Sequence, residues 1–237
     1  MSERVIEILG SSFMKILIPG IKVTIPLTIL SFAVSLVLGL LLAIVQVANI
    51  RVLKQISRFY IWFFRGTPLL VQLFLVFYGM PSFGIIIDAF PAAVIAFGLN
   101  LAAYNAEVFR SAILAIPEGQ LEASYMIGLN YSQAMARVIL PQSFPIAFPS
   151  LFNNLISLLK DTSLASSITI VELFTAAQQI AARTYETFAL YLEAAFIYLI
   201  FSSLLSMLQT YLEKKLVWKS SESSAVTAKG RKKAMLG

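Results

Sequence analysis

Five long apolar segments, each nearly free of charged residues, limit what this chain can fold into. They cover residues 23–50, about 59–80, about 89–114, 138–159 and about 188–212. A helix needs about 20 apolar residues to cross a bilayer. Only helices satisfy their own backbone hydrogen bonds in lipid, and these segments are too long for barrel strands. The sequence therefore predicts an all-α polytopic membrane protein with five transmembrane helices. Its 13% content of charged residues agrees, since a soluble domain averages about 25%.

The placement of Lys and Arg predicts the orientation of the chain. Basic residues favour the cytoplasmic side of a membrane, and most of the 18 Lys and Arg fall on one side if the N-terminus lies outside. Five spans then put the C-terminus in the cytoplasm. We expect one membrane domain over residues 1–219. Residues 220–237 form a basic cytoplasmic tail, which we expect to be disordered.

The absence of two residue types excludes several kinds of chemistry. The chain has no cysteine and no histidine. Disulfides, thiol catalysis, histidine bases and Cys/His zinc sites are therefore excluded. No phosphate-binding G-x-x-x-x-G-K-[ST] loop is present either. We expect no catalytic residue, no metal site and no cofactor in this chain. Its net charge of +6 fits membrane topology better than nucleic-acid binding.

A polar loop over about residues 115–140 separates the third and fourth apolar segments. Two short helices are predicted within it, at 120–126 and 131–137, with Gly128 ending the first. Pro141 precedes the next span. On generic loop chemistry alone, the loop could be an interfacial amphipathic connector.

The spacing of residues in this loop resembles a known family motif. Glu122-Ala123-Ser124 is followed by Gly128 and then by Val138-x-Leu140-Pro141. This resembles the EAA loop of ATP-binding-cassette importer permeases, whose pattern is E-A-A, then G, then I-x-L-P. Ser124 and Val138 replace family residues of similar size. The resemblance implies that the loop lies in a cleft of a cytoplasmic ATPase subunit. The coupling residues it implies are Glu118, Gly119, Glu122, Ala123, Ser124, Gly128, Leu140 and Pro141.

Further motifs resemble the polar amino-acid branch of these permeases. They are RGTPL at 65–69, AYNAE at 103–107, EGQ at 118–120 and KDTSL at 160–164. With the loop, they cover about residues 16–216. Residues 78–85 and 180–184 resemble L-cystine permeases most closely.

The resemblance implies a transport subunit of the type I importer class, not an enzyme. It would pass a polar amino acid, with L-cystine the candidate that the likeness favours, across the bacterial cytoplasmic (inner) membrane by alternating access. The implied partners are an ATP-binding subunit dimer that holds ATP and Mg, a second permease copy or homologous permease, an extracytoplasmic solute-binding protein and membrane lipid.

Polar residues inside apolar segments are costly, so each needs a reason. Asn100 and Tyr104 lie one turn apart near mid-span and can line a substrate path or form interhelical hydrogen bonds. Lys160 and Asp161 can meet a substrate carboxylate and ammonium, or satisfy each other. The substrate-path residues we expect are Asn100, Tyr104, Asn105, Lys160, Asp161, Thr162 and Ser163.

Other polar residues are expected to act as gate or structural elements. Arg65 is expected to snorkel to the inner headgroups, and Pro68 to kink the second span; Thr67 belongs to the same motif. Glu107 and Arg110 are expected to form an ion pair, with an inner-gate contact as the alternative.

The segment 173–182, flanked by Glu172 and Arg183, is expected to be a short outer helix. We favour a plain connector there over a gate.

Two other functions are compatible with parts of the sequence. In an ion-coupled secondary amino-acid carrier, Glu107 or Asp161 would be the ion site. An intramembrane protease would need a paired nucleophile and base, or two facing aspartates, and the residue inventory argues against it. Neither alternative explains the ordered loop.

Overall fold

A computed structural model describes the backbone of residues 3–48 and 50–234, and the side chains of 4–48 and 50–216. Over these residues the chain is all-helical, as predicted. The α-helices are α1 Glu3–Pro19, α2 Ile25–Val47, α3 Arg51–Gly66, α4 Leu69–Phe74, α5 Ala89–Leu114, α6 Glu118–Met126, α7 Tyr131–Ala134, α8 Leu140–Asp161, α9 Leu173–Thr184 and α10 Thr187–Ala234. Three π-helical turns (Gly20–Thr24, Leu75–Gly79, Met135–Ile139) and two 3₁₀ segments (Met80–Phe83, Thr162–Ile168) connect them.

By length and composition, three helices can cross a membrane: Arg4–Val47, Ala89–Leu114 and Thr187–Leu216. The number rises to five if each of two bent helix pairs forms one span. The third predicted segment agrees with α5, and the fifth lies within α10. We expected residues 220–237 to form a disordered tail. The structure does not describe the side chains of these residues, or residues 235–237 at all, so the disorder stays a prediction.

The first span begins much earlier than the sequence predicted. Helices α1 and α2 run through a π-helical turn as one segment of 44 residues, Arg4–Val47, whereas we expected residues 23–50. Charged residues such as Lys15 and Lys22 interrupted the apolar pattern. They lie on the exposed side of the helix, and Ile16 on the other side is fully buried against α9 and α10. The N-terminal half is therefore amphipathic and packs on α9 and α10.

Helices α2 and α5 pack closely because small residues line their contact. On α2 the buried positions Ser31, Ser35, Gly39 and Ala43 recur every four residues, which puts them on one face. A Cβ at Gly39 would lie 2.9 Å from the Cβ of Asn105 on α5. Small residues let membrane helices approach in this way. This pair forms the centre of the bundle, onto which α3, α4 and α8 pack.

The second predicted span is broken in two. Helix α3 and the segment Leu69–Phe83 meet at an angle of 106°. The expected kink at Pro68 is present but is a sharp turn, so residues 59–80 are not one straight helix. Pro68 cannot continue the hydrogen-bond ladder and forces the preceding residue, Thr67, into extended backbone.

Side-chain amides satisfy the backbone at this break. Gln72 Nε2 donates to the carbonyls of Phe64 (2.9 Å) and Thr67 (3.1 Å) and to Thr67 Oγ1 (2.7 Å). Asn100 Nδ2 donates to Phe64 O (3.2 Å) and to Gln72 Oε1 (3.0 Å). A broken helix is tolerated at membrane depth when neighbouring groups pair its backbone in this way.

The polar loop contains one separate helix, α6, not the two that we expected. Helix α7 continues through the π-helical turn Met135–Ile139 into α8, and the helical stretch reaches Ile168. We expected Pro141 to separate a short helix from the span. Proline lacks an N–H and its ring clashes with the carbonyl four residues earlier. The wider π turn directly before Leu140 accommodates this without ending the helix.

The fourth predicted span is followed by the short helix that we expected at 173–182, and its location on the outer side stays a prediction. Helix α8 passes into the 3₁₀ segment Thr162–Ile168, and α9 then turns away by 52°. Within the polar KDTS sequence, Lys160 and Asp161 end α8, and Thr162 and Ser163 begin the 3₁₀ segment. Helix α9 lies between α1 and α10, with Ala177 and Leu173 fully buried.

Candidate functional site

Helix α6 carries most of the predicted coupling residues and ends in a well-defined cap. Gly128 has φ +83°, a left-handed conformation that glycine adopts at little cost. The N–H of Gly128 donates to Tyr125 O (2.9 Å), and that of Leu129 donates to Ser124 O (3.1 Å). This pair of bonds is the Schellman motif, which satisfies the last carbonyls of a helix. The predicted helix end at Gly128 is confirmed. The helix begins at Glu118, two residues before our prediction.

One face of α6 is buried and the other is open. Ser124 is buried, and its hydroxyl donates to Gln120 O at 2.7 Å, so it fits the position as a small residue. Glu122 and Ala123 are exposed. Past them, Met126 is 88% exposed and Ile127 is 76% exposed. Large apolar side chains grouped at the tip of a loop mark a contact surface. We call Glu122, Ala123, Met126 and Ile127 the docking face.

Contacts hold α6 against the base of α8. Asn130 caps α7 in a capping box, with reciprocal 3.0 Å bonds to Gln133. Met135 and Ile139 of the π-helical turn are buried in the same cluster as α2 and α5 residues, and Leu121 of α6 packs on it. Leu140 and Pro141 form the first turn of α8. The predicted coupling residues are thus together at one end of the bundle, joined directly to a long helix.

Asn100 and Asn105, predicted for a substrate path, form interhelical hydrogen bonds. Asn100 belongs to the break between α3 and α4. Asn105 is fully buried: its Nδ2 donates to Ser35 Oγ (2.9 Å), and its Oδ1 accepts from Asn154 Nδ2 (2.8 Å). Helices α2, α5 and α8 are thereby tied together. This is the alternative that the sequence left open for Asn100.

Arg65 contacts helix α5, and its expected snorkelling to the inner headgroups stays a prediction. Its guanidinium lies over the ring of Tyr104, 5.3 Å from the ring centroid. Tyr104 is ten residues before the end of α5, or about 15 Å at the helical rise, near the middle of a hydrocarbon core of about 30 Å. The contact is a cation–π interaction. Tyr104 remains 39% exposed beside this contact.

Lys160 and Ser163 line an open groove of about 540 Å³ between the end of α8 and helices α9 and α10. Phe174 and Tyr191 form its aromatic wall, with ring centroids 5.3 Å apart. Lys160 and Asp161 are both exposed and form no ion pair with each other. Thr162 is fully buried and donates to Leu159 O at 2.7 Å. The groove brings together a cation, a hydroxyl and aromatic rings, which suits a small molecule with a carboxylate and an apolar part. Asp161 follows Lys160 in the chain but is not among the residues that line the groove.

The expected Glu107–Arg110 pair is present near the end of α5. Arg110 Nη2 lies 2.8 Å from Glu107 Oε2, and Arg110 Nε donates to both carboxylate oxygens (3.1 and 3.3 Å). The two residues are three apart on one helix face.

Glu172 is a central residue whose role the sequence analysis missed. Its carboxylate is fully buried and accepts from Phe174 N (2.9 Å), Thr175 N (2.7 Å) and the Tyr198 hydroxyl (2.8 Å). Thr24 Oγ1 approaches it to 3.5 Å. The carboxylate caps α9 and joins it to α10 and to the first span. An acidic residue directly before a helix start is a capping signal that was available in the sequence.

Comparison with known proteins identifies the family. Residues 35–218 match the family described as "Binding-protein-dependent transport system inner membrane component". The L-cystine transport system permease protein TcyB of Bacillus subtilis is 48% identical over 211 residues, which cover 89% of this chain and 90% of that protein. The probable amino-acid ABC transporter permease protein PatM of Vibrio harveyi is 46% identical over 185 residues, which cover 77% of this chain and 83% of that protein.

A solved structure, the crystal structure of an amino acid ABC transporter with histidines, has a similar fold. Its TM-score is 0.79 at 35% identity, with 87% of this chain and 96% of that chain covered. The resemblance drawn from the sequence motifs is confirmed, and an ion-coupled carrier is not supported. The relatives are permease subunits, so the expectation that this chain is not an enzyme is confirmed as well. The chain belongs to the inner-membrane permease family of binding-protein-dependent, ATP-binding-cassette transport systems.

Proposed function

We propose that this chain is the permease subunit of an ATP-driven importer that passes L-cystine across the cytoplasmic membrane. The observation that carries the choice of substrate is its similarity to a cystine permease along nearly the full length of both chains. The groove at Lys160 supports it. Lys160 binds a substrate carboxylate and Asp161 its ammonium, while Phe174 and Tyr191 contact the disulfide, since sulfur packs favourably against aromatic rings.

In our proposal the docking face of α6 sits in a cleft of a cytoplasmic ATPase. Its exposed apolar tip and the neighbouring Glu122 provide both surface and charge for that contact. ATP and Mg bind in the ATPase, and this chain holds neither. Closure of the ATPase dimer moves α6 as a rigid body, because its cap and its packing on the π-helical turn prevent it from stretching.

Helix α8 carries this motion towards the groove. It is 22 residues long, with Leu140 and Pro141 at the docking end and Lys160 and Asp161 at the other. Pro145 and Pro149 lie inside it, and each removes a backbone hydrogen bond, which makes local bending easier. The spans then alternate between outward-open and inward-open arrangements. Arg65 and Tyr104 lie along the path between the groove and the cytoplasm in this scheme.

The assembly that we propose contains two permeases, each with five spans, an outer N-terminus and a cytoplasmic C-terminus. The partner permease is a second copy or a homologue, and an extracytoplasmic solute-binding protein delivers the substrate. The large exposed apolar side chains on the described part of α10, among them Leu192, Phe196 and Leu199, provide surface for lipid or for the second permease.

The substrate is tested by uptake into vesicles that hold the permease with its ATPase and binding protein. We expect ATP-dependent uptake of labelled cystine, which excess unlabelled cystine abolishes and arginine does not. Lys160→Gln should lower uptake at least about tenfold, the effect of one charge-assisted hydrogen bond. Uptake of arginine in preference to cystine would overturn the choice of substrate and leave the importer assignment intact.

The docking proposal is tested separately with Glu122→Arg. We expect this variant to be folded and inserted but to lose both co-purification of the ATPase and ATP-driven uptake. Glu7→Arg, the same charge reversal at an exposed position on α1, is the matched control and should retain both. Wild-type uptake by Glu122→Arg would show that α6 does not dock.

A further inference from the structure

A band of polar side chains runs along α8 and α10, and most of it has no role in the transport scheme. On α10 polar residues recur at intervals of three and four, which puts them on one helix face: Ser202, Ser206, Gln209 and Glu213. The same spacing on α8 groups residues that are all exposed: Ser150, Asn153, Ser157 and Lys160. We call these residues of the two helices the polar band.

Other faces of the same two helices are apolar, so the band is confined to one side. On α10, Leu204 and Met207 point away from the band and are 58% and 69% exposed. On α8 the face opposite the band packs into the bundle, with Leu151 and Leu158 buried. Helix α10 therefore has one exposed face that suits lipid and another that does not.

Hydrogen bonds join the two halves of the band. Gln209 Nε2 donates to Pro149 O (3.3 Å) and Asn153 Oδ1 (3.2 Å) on α8, and to Glu213 Oε1 (2.8 Å) on its own helix. Asn153 is exposed, and Gln209 and Glu213 are partly exposed. Amides and carboxylates are costly against hydrocarbon, and in membrane proteins they face the bundle interior or a water-filled cavity. The band therefore requires water beside it.

The band begins at the groove and leads towards the end of α10. Lys160 and Ser202 both line the groove of about 540 Å³. From Ser202 to Glu213 the band extends about 16 Å at the helical rise, or about half of the hydrocarbon core. Lys214 and Lys215 follow Glu213, and the proposed topology places them at the cytoplasmic surface.

We propose that the polar band is one wall of the hydrated path by which the amino acid leaves the groove for the cytoplasm. This inference rests on the proposed function, in which a second permease closes the path on its other side. Hydroxyl and amide groups exchange hydrogen bonds with a zwitterion and with its water. Past Lys160 the band carries a charge only at Glu213, near its end. Passage requires contacts weak enough to release the substrate, and uncharged groups provide them.

The first test compares two neighbouring positions on different faces of α10, Ser206 and Met207. The Ser206 hydroxyl donates to Ser202 O (2.9 Å), so its replacement breaks no hydrogen bond to α8 that the structure describes. In inside-out vesicles with the assembled transporter, a water-soluble maleimide should label Ser206→Cys at least about tenfold faster than Met207→Cys, because the reactive thiolate forms in water and not in lipid. Equal rates would overturn the proposal. An unlabelled Ser206→Cys beside a labelled Tyr104→Cys would also overturn it and move the path to α5.

The second test obstructs passage. Ser206→Trp should lower ATP-dependent uptake at least about tenfold, because the indole fills the path, and it should retain co-purification of the ATPase. Met207→Trp is the matched control and should transport like the wild type. Wild-type uptake by Ser206→Trp, or an equal loss in both variants, would overturn the proposal.

The two measurements also separate this inference from the proposed function. If the wild type imports cystine while Ser206→Cys stays unlabelled, the path is wrong and the proposed function stands. If the wild type imports a different amino acid while the labelling rates differ as expected, the path stands and the choice of substrate fails.

Discussion

Single polar side chains hold this apolar bundle together because each one pairs across a helix boundary. Asn105 joins three helices, Gln72 and Asn100 pair the backbone at the break, and Glu172 joins α9 to two others. In lipid, such groups have no water to compete for their bonds. Removing one therefore leaves its partners unsatisfied as well, and the loss exceeds that of one hydrogen bond.

Glu172 gives the clearest prediction at this scale. Replacing it with alanine leaves two α9 N–H groups and the Tyr198 hydroxyl without an acceptor. We expect the free energy of unfolding to fall by about 2 to 4 kcal/mol, measured by thermal or denaturant unfolding in detergent. Glu7→Ala, at an exposed position on α1, should change it by less than about 0.5 kcal/mol. Equal effects of the two variants would refute the role given to Glu172.

At the scale of the element, glycine positions decide how helices meet and end. Gly39 lies where α2 meets α5, and an added Cβ would come within 2.9 Å of a side-chain atom and 3.1 Å of a backbone oxygen. Gly10 on α1 is also helical, but nothing lies within 4 Å of an added Cβ. The two positions form a matched pair on one span.

We expect opposite results from alanine at these two glycines. Gly39→Ala should destabilise the protein by about 1 to 3 kcal/mol, because α2 and α5 must move apart. Gly10→Ala should stabilise it by about 0.5 to 1 kcal/mol through helix propensity alone. Unfolding of both variants in the same detergent measures the difference. An unchanged free energy of unfolding in Gly39→Ala would mean that α2 and α5 pack less closely than described.

The cap of α6 gives a second prediction for an element. Gly128→Ala places a Cβ on a residue with φ +83°, which costs about 1 to 2 kcal/mol. Because the docking face depends on this helix end, we expect uptake to fall more than global stability does. Gly10→Ala, which lies on α1 away from the docking face and has open space around it, should keep full uptake. Uptake assays with parallel unfolding curves separate the two effects. Full uptake by Gly128→Ala would show that coupling does not depend on the helix cap.

The sequence predicted some elements well, and the reasons are local. Helix α5 and the helix end at Gly128 follow from an apolar run and from glycine chemistry, both of which depend only on neighbouring residues. The 106° break and the amphipathic helix α1 depend on partners far away in the sequence. Asn100 pairs the backbone at the break, and α9 packs against the buried face of α1. We predicted that Asn105 lies on the substrate path because no local pattern shows its hydrogen bonds to Ser35 and Asn154.

For the whole molecule, the lack of cysteine makes orientation measurable. Single cysteines can be introduced without background. Tyr185 and Met126, both 88% exposed, lie beyond opposite ends of α8. We expect a membrane-impermeant maleimide to label Tyr185→Cys in intact cells and Met126→Cys only after permeabilisation. The reverse pattern would invert the proposed topology. Adding the ATPase should then protect Met126→Cys from label.

The exposed apolar tip of α6 also affects the abundance of this subunit in the cell. In the topology that we propose, Met126 and Ile127 face the cytoplasm until the ATPase covers them, so a chain made in excess would present a hydrophobic signal there. Chaperones and membrane proteases act on such signals. We therefore expect the abundance of this permease to follow the supply of its ATPase. The same surface that would transmit force in the finished transporter would mark unassembled copies for degradation and so set the stoichiometry of the complex.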